Sequence, residues 1–356
     1  MHSIYGLAGS LIGIFIPIYL LHLNYSLKEV IFFYLISSVA LIFFLFFASW
    51  LSTRVGLKKI IISNFPFLFL YIAMLYLLSR GIAIPLSLLA TINGLQTALY
   101  WFPLHILFIK HSEAESMGRS VAKFFAWPQI AGMFGPLIGS GIIILTGFQS
   151  LILVGGFIYI LAIIPIIRLP EIPIKIDFSF RNFLSLFRRN LKYFFVEIIE
   201  NMREDAEGII WPIFVFLSFH HILSVGIIGL LASLGGIVFT LFVGKYTDRV
   251  NKKMLMKISA AVIIVAWLIR FYFPNEIFFY ISTLIVGFSG ILLTIPFTTI
   301  IYNLAKGNNI EEFIVFREIP VTLGRVVIYS MGLFFVSEIN YLFLLLAFSG
   351  IFFFLY

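Results

Sequence analysis

Twelve long apolar runs, separated by short polar breaks, dominate this chain of 356 residues and leave it one class of fold. They fall at about 4–23, 28–51, 60–79, 83–109, 120–146, 149–168, 194–219, 222–243, 256–273, 277–303, 313–336 and 339–356. Crossing a hydrocarbon core about 30 Å thick takes about 20 apolar residues in a helix. Soluble domains carry about 25% charged residues, whereas here 11% are charged and 62% are hydrophobic. The expected fold is therefore all-α and integral to the membrane, with twelve transmembrane helices. The N-terminal run has no basic segment before it and is long enough to span, so it reads as a first helix and not a cleaved signal. The last run stops at Tyr356 inside its span, as it would in a truncated chain. No cysteine is present, which excludes a disulfide framework and thiol chemistry.

The basic residues set the expected orientation. Of 24 Lys and Arg residues, 19 lie in the connections 54–59, 110–123, 168–192, 245–257 and 306–317, all on one side. Lys28, Arg80 and Arg270 fall on the other side, and Arg203 and Arg325 fall within spans. Such a bias places the N-terminus in the cytoplasm, in a multi-pass protein of the cytoplasmic membrane. The net charge of +8 follows from this topology and is no nucleic-acid signal.

The longest connection divides the spans six and six. The expected organisation is an N-terminal half at 1–168, a cytoplasmic linker at 169–193 and a C-terminal half at 194–356. Aromatics alternate with Arg and Lys after residue 176, as in an amphipathic helix on the inner leaflet. A shift of 195 residues carries Gly13-Ile14 onto Gly208-Ile209, Pro17-Ile18 onto Pro212-Ile213, Arg54-Val55 onto Arg249-Val250 and Lys58 onto Lys253. A shift of 192 carries Phe124, Pro128 and Gly132 onto Phe316, Pro320 and Gly324. The halves are parallel repeats, and in such folds substrate sites lie between them near the midplane.

The loop at 244–253 reads GKYTDRVNKK and its repeat mate at 49–58 reads SWLSTRVGLK. With the six-plus-six layout, these resemble the major facilitator superfamily, whose signature loop runs roughly Gly-x-Leu-Ala-Asp-Arg-x-Gly-Arg-Lys. Gly244, Asp248, Arg249 and Lys253 match in the second copy. The first copy keeps Arg54, Gly56 and Lys58 but has Thr53 where the family has Asp. The resemblance implies that this loop latches a cytoplasmic gate, with Asp248 against the positive N-terminus of a helix from the other half. The fifth span carries Gly132, Gly135, Pro136 and Gly139, followed by Gly141, a spacing similar to the family's Gly-Pro motif of exporters working by antiport. The family's final Gly-Gly pair is broken here by Ser140, and close packing of a glycine-rich helix explains the spacing equally well.

Five of the sixteen acidic residues lie within 197–207. At about 100° per residue, Glu197, Glu200, Glu204, Glu207 and Trp211 share a face roughly 80° wide. Arg203 is within helical reach of both Glu200 and Glu207. Counted back from Ser218, Glu207 lies roughly 16 Å deep. Arg325 reaches a similar depth in the eleventh span, above Arg317 and Glu318, so a pair with Glu207 or Asp205 is expected. The alternative is a seventh helix that begins early and keeps its first acidic turns in water. The resemblance places the first, fourth, seventh and tenth spans around a cavity. Asn93, Gln96, Tyr100, Trp101, Trp211 and Tyr302 are the expected lining, suited to an amphiphilic or neutral organic solute.

Six histidines show no metal-ligand spacing, and no glycine loop with Lys and Ser or Thr marks a nucleotide phosphate site. Neither a metal, a cofactor nor an enzymatic activity is expected. The reading is a monomeric secondary transporter exporting a small organic solute against protons by alternating access. Glu204, Asp205 and Glu207 are the proton candidates, Arg203 and Arg325 their partners, and membrane lipids the surroundings. An importer or uniporter, a transporter-like receptor or scaffold, and an intramembrane enzyme are the alternatives.

Overall fold

The computed structural model describes residues 1–168, 180–247 and 251–354. Within them, twelve helical rods follow one another. They are α1 His2–His22, α2 Leu27–Val55, α3 Leu57–Ser79, α4 Leu86–His111, α5 Met117–Thr146 and α6 Phe148–Ile167. The second six are α7 at 191–219, α8 Ile222–Thr247, α9 Lys252–Tyr272, α10 Glu276–Lys306, α11 Ile310–Phe334 and α12 Tyr341–Phe354. A short helix, Phe180–Arg189, precedes α7. Seven of the rods are long and apolar enough to cross a membrane by length and composition alone.

The polar breaks act as helix starts. Ser26 and Glu29 form a reciprocal capping box at α2, and Asn251, Asn275 and Asn309 accept backbone N–H groups at the first turns of α9, α10 and α11. Each such cap contributes about 1 kcal/mol and fixes where a span begins. Gly56 turns α2 into α3 at φ +86°, a conformation that favours glycine. The chain therefore passes from one helix to the next within one residue.

Two rods break their helical geometry at repeat-equivalent places. Gly13–Phe15 is a 3-10 turn in α1, and Ala206–Ile210 is a π-turn in α7. Pro17 and Pro212 start the regular helix beyond each break. Proline lacks an N–H, so the carbonyl four residues back is released and the turn before it can widen or tighten.

One apolar cluster fills the N-terminal half around Phe15, Phe65 and Tyr100. A larger one centres on Trp211, Trp267 and Phe343 and crosses the seam to Ile31, Phe102 and Ile106. Outward, Phe43, Leu145, Phe157, Ile277 and Phe334 are exposed, an apolar belt facing lipid. The molecule is a multi-pass membrane protein.

At the seam, α5 packs against both α1 and α8. Gly132 and Gly135 meet Ser10, and Gly139 meets Leu11 and Phe15. From the other side, a Cβ on Gly229 would lie 2.6 Å from Pro136 Cγ and 3.1 Å from Ile14 Cδ1. The α5 glycines are thus consumed by close packing on α1 within the N-terminal half, and Gly229 of α8 by a close approach across the halves.

Candidate functional site between the halves

A cavity of about 130 Å³ lies on the seam. Its walls differ in kind. The N-terminal half contributes Leu41, Leu45, Thr97, Ala98, Trp101, Phe102, His105 and Phe125, while every lining carboxylate and guanidinium comes from α7 and α11.

The charged wall is a ladder. Near the end that carries the basic connections, Arg317 Nε donates to Glu197 Oε1 at 2.8 Å and Nη1 donates to Glu318 Oε1 at 3.0 Å. Above it, Arg203 grips Glu200 with two bonds, of 2.9 and 2.6 Å, and Thr294 Oγ1 donates to the same carboxylate at 2.6 Å. Gly290 leaves room for this, since a Cβ there would lie 3.2 Å from Arg203 Nη1. Glu204 is held loosely, 3.8 Å from Arg203 and 3.5 Å from Thr294, with its side chain 41% exposed. A second rung, eight residues further along both helices, places Arg325 Nε 3.6 Å from Asp205 Oδ1. Single buried charges are costly in a membrane, and this ladder leaves each arginine beside at least one acid.

Each rung touches the opposite half through an aromatic. At the first, Tyr302 and His105 Nδ1 are hydrogen-bonded at 2.5 Å, and His105 Nε2 lies 3.3 Å from Arg317. Beyond them, Lys110 pairs with Glu311 at 2.6 Å across the seam. At the second, Tyr329 donates to Asp205 Oδ2 at 2.8 Å and stacks on Tyr34 at 5.5 Å. Ile31 packs 3.3 Å from the position of a Cβ on Gly332. The halves therefore touch on both sides of the cavity.

Several expectations need correcting. Of the six expected lining residues, Trp101 alone lines the cavity. Asn93 and Gln96 face α1 and α2, where Asn93 donates to Ser37 and Gln96 accepts from Tyr5. Tyr100 is fully buried and stacks on Tyr5 at 3.7 Å. The face that meets the cavity is Thr97, Trp101 and His105, one position around the helix. Tyr302 is buried on His105, and Trp211 is buried against a group of rings away from the cavity lining, Trp267, Phe279 and Phe343.

That cluster also takes Glu207. The π-turn inserts one extra residue per turn and rotates everything after it, so Glu207 leaves the stripe formed by Glu197, Glu200 and Glu204. It pairs with Arg270 at 2.6 Å, not with Arg325 or Arg203. Arg270, expected in an outer connection, is buried at 1% exposure. Its guanidinium lies 3.8 Å over Trp211 and 4.5 Å over Trp267, and Nε donates to Ser282 at 3.1 Å. Trp267 three residues earlier and the Ser282-Thr283 pair were the signals for it.

The gate loops are only partly described. Asp248 and Arg249 lie outside the described residues, and Gly244 ends within α8. Arg54 lies 4.3 Å over Trp50, Lys58 Nζ donates to the carbonyl of Ile167 at 2.8 Å, and Lys253 N is capped by Asn251 at 3.1 Å.

Residues 1–199 match the family model described as Major Facilitator Superfamily. Comparison with curated proteins returns no match. Among solved structures, a Major Facilitator Superfamily transporter, FucP, in the outward conformation superposes at a TM-score of 0.73 with 13% identity, over 99% of this chain and 95% of that one. A bacterial homologue of the iron transporter ferroportin, outward-facing with soaked iron, gives 0.69 at 12% identity over 99% and 96%. The human organic anion transporter MFSD10 gives 0.68 at 13% over 99% and 96%. At these identities the likeness is one of fold.

Proposed function

The chain belongs to the Major Facilitator Superfamily, and from that premise we propose that it is a secondary transporter moving a small organic solute by alternating access, with proton-coupled export as its mode. The observation that carries this reading is the seam cavity, flanked on each side by contacts that join one half to the other. Lys110–Glu311 and His105–Tyr302 hold one end, and Tyr34–Tyr329 with Gly229 against Pro136 hold the other. Releasing one set while the other holds opens the cavity to one face of the membrane at a time.

Glu204 and Asp205 are our proton carriers, with Glu207 tied to Arg270 outside the cavity. A carboxyl that gains and loses an arginine neighbour as the halves rock gains and loses a proton with it. In this reading the basic end is cytoplasmic, the protein acts as a monomer, 169–193 links the two halves, and the loop around Asp248 latches the inner gate. Export over import rests on the similarity of the Gly132–Gly139 segment to the exporter motif.

The test is exchange and pH-driven flux measured side by side in liposomes. Glu204→Gln is isosteric and cannot ionise, so at saturating solute it should keep exchange and lose uphill movement. Full gradient-driven transport by both Glu204→Gln and Asp205→Asn would place the proton site elsewhere. Single cysteines added near Lys110 and near Tyr34, on this cysteine-free background, should label alternately; labelling that never alternates would sink the mechanism.

A further inference from the structure

The charge balance and the shape of the cavity identify the kind of solute. Four carboxylates line it, Glu197, Glu200, Glu204 and Glu318, against two guanidiniums, Arg317 and Arg325. Asp205 and Arg203, in contact with these, add one charge of each sign. A surplus of two carboxylates remains either way. Every arginine has its charge already matched: Arg317 sits between Glu197 and Glu318, Arg203 is bidentate on Glu200, and Arg325 lies beside Asp205.

The surplus is also unsatisfied in detail. Glu197 is 3% exposed, lines the cavity, and its Oε2 is buried without a hydrogen-bond partner. Glu204 has only the two long contacts described above. A buried carboxylate oxygen with no donor is destabilising, and an incoming donor would relieve that cost. The facing wall supplies Trp101, Phe102 and Phe125, ring surfaces that attract a cation or pack its apolar body. The volume of about 130 Å³ falls below the 300–1,000 Å³ usual for drug-sized ligands, so the occupant is compact.

We propose that the transported solute is a small organic monocation, an ammonium with a short apolar or aromatic flank, bound between Glu204 and Glu197 on one wall and Trp101 on the other. This rests on the transport reading above. The buried Arg325 Nε has no hydrogen-bond partner and is the one donor an anion would find there, but an anion would add a further negative charge to the surplus of two, and a neutral solute would leave both surplus carboxylates unmatched.

The experiment uses the purified full chain and two sets of probes matched in shape: benzylamine, benzyl alcohol and benzoate, and ethylamine, ethanol and acetate. Thermal stabilisation and exchange in liposomes are measured for each. The expected result is stabilisation and exchange by an amine alone, with binding about ten- to a hundredfold weaker in Glu204→Gln, the loss expected for one hydrogen bond to a charged group. Glu204 is partly exposed, so the variant should keep the thermal stability of the unliganded protein; Glu197→Gln provides the second arm. Stabilisation by a carboxylate or an alcohol, an amine effect unchanged in both variants, or no effect from any probe overturns the cation assignment. Cysteine labelling at the two ends of the same liposome preparation reports alternating access separately. Alternation without amine binding therefore rejects the cation and keeps the transporter.

Discussion

Removing Arg270 should destabilise the C-terminal half more than almost any other single change, and chiefly through Glu207. Arg270 is buried at the heart of the larger apolar cluster, with Glu207 at 2.6 Å and two indole faces within 4.5 Å. Arg270→Met strands the Glu207 carboxylate in a site from which water is largely excluded, a loss of about 3–5 kcal/mol. The aromatic contacts add about 1–2 kcal/mol. Glu207→Gln strands the guanidinium instead, leaving it Ser282 at 3.1 Å and Thr283 at 3.5 Å, and should cost about as much as stranding the acid. The double variant strands neither, so it should be milder than the sum of the singles by about 2–3 kcal/mol. The same cycle between Glu207 and Arg325 should be additive to within about 0.5 kcal/mol. Reversible denaturant unfolding in mixed micelles measures all five variants on one scale. Additivity for Arg270 together with strong coupling for Arg325 would refute the reasoning and restore Glu207 to the cavity.

Three further outcomes follow from the seam contacts. Glu311→Gln removes the ion pair with Lys110 at the basic end; with those side chains 11% and 27% exposed, the loss should be about 1 kcal/mol, or roughly fivefold faster labelling of a cysteine placed there. Tyr329→Phe removes the hydrogen bond to Asp205 while keeping the stack on Tyr34, and should speed labelling at the opposite end only; an equal change at both ends would disconnect the tyrosine from that seal. Gly229→Val drives a side chain into Pro136 and should cost about 1–3 kcal/mol or slow exchange strongly, whereas Gly208→Ala, which meets nothing within 4 Å, should leave the seam and its exchange rate unchanged.

Much of this architecture was written in one dimension. The twelve runs, their polar starts and the repeat register depend on local composition and on proline and glycine positions, which a sequence displays directly. The pairing of Arg325 with an acid of α7 was legible for the same reason, since depth along two parallel helices can be counted. What escaped was rotation. A helical wheel assumes about 100° per residue throughout, and the π-turn at 206–210 violates that at the point where the acidic stripe meets Glu207. Asn93, Gln96 and Tyr100 were polar and shared a face, but a wheel cannot say whether that face meets the other half or a neighbour in its own half. Tyr5 and Ser37, which take those polar groups, are 91 and 56 residues away in the chain. Arg270 was counted as a loop cation because it ends an apolar run, and only the two tryptophans that box it in reveal otherwise.

The eight-residue spacing of the two rungs has an electrical meaning. Glu197 to Asp205 and Arg317 to Arg325 are the same interval on two helices running in the same direction. Along a helix axis that interval is about 12 Å, or about 0.4 of a hydrocarbon core about 30 Å thick. A unit charge that passes from one rung to the other therefore crosses about 0.4 of the membrane field, worth about 0.9 kcal/mol for each 100 mV. A cation moving alone along that path would change its rate about fivefold per 100 mV, while one exchanged for a single proton over the same path would carry no net charge and ignore the voltage. The ladder is thus a built-in voltmeter for its own stoichiometry: the slope of flux against membrane potential counts the uncompensated charges moved per cycle.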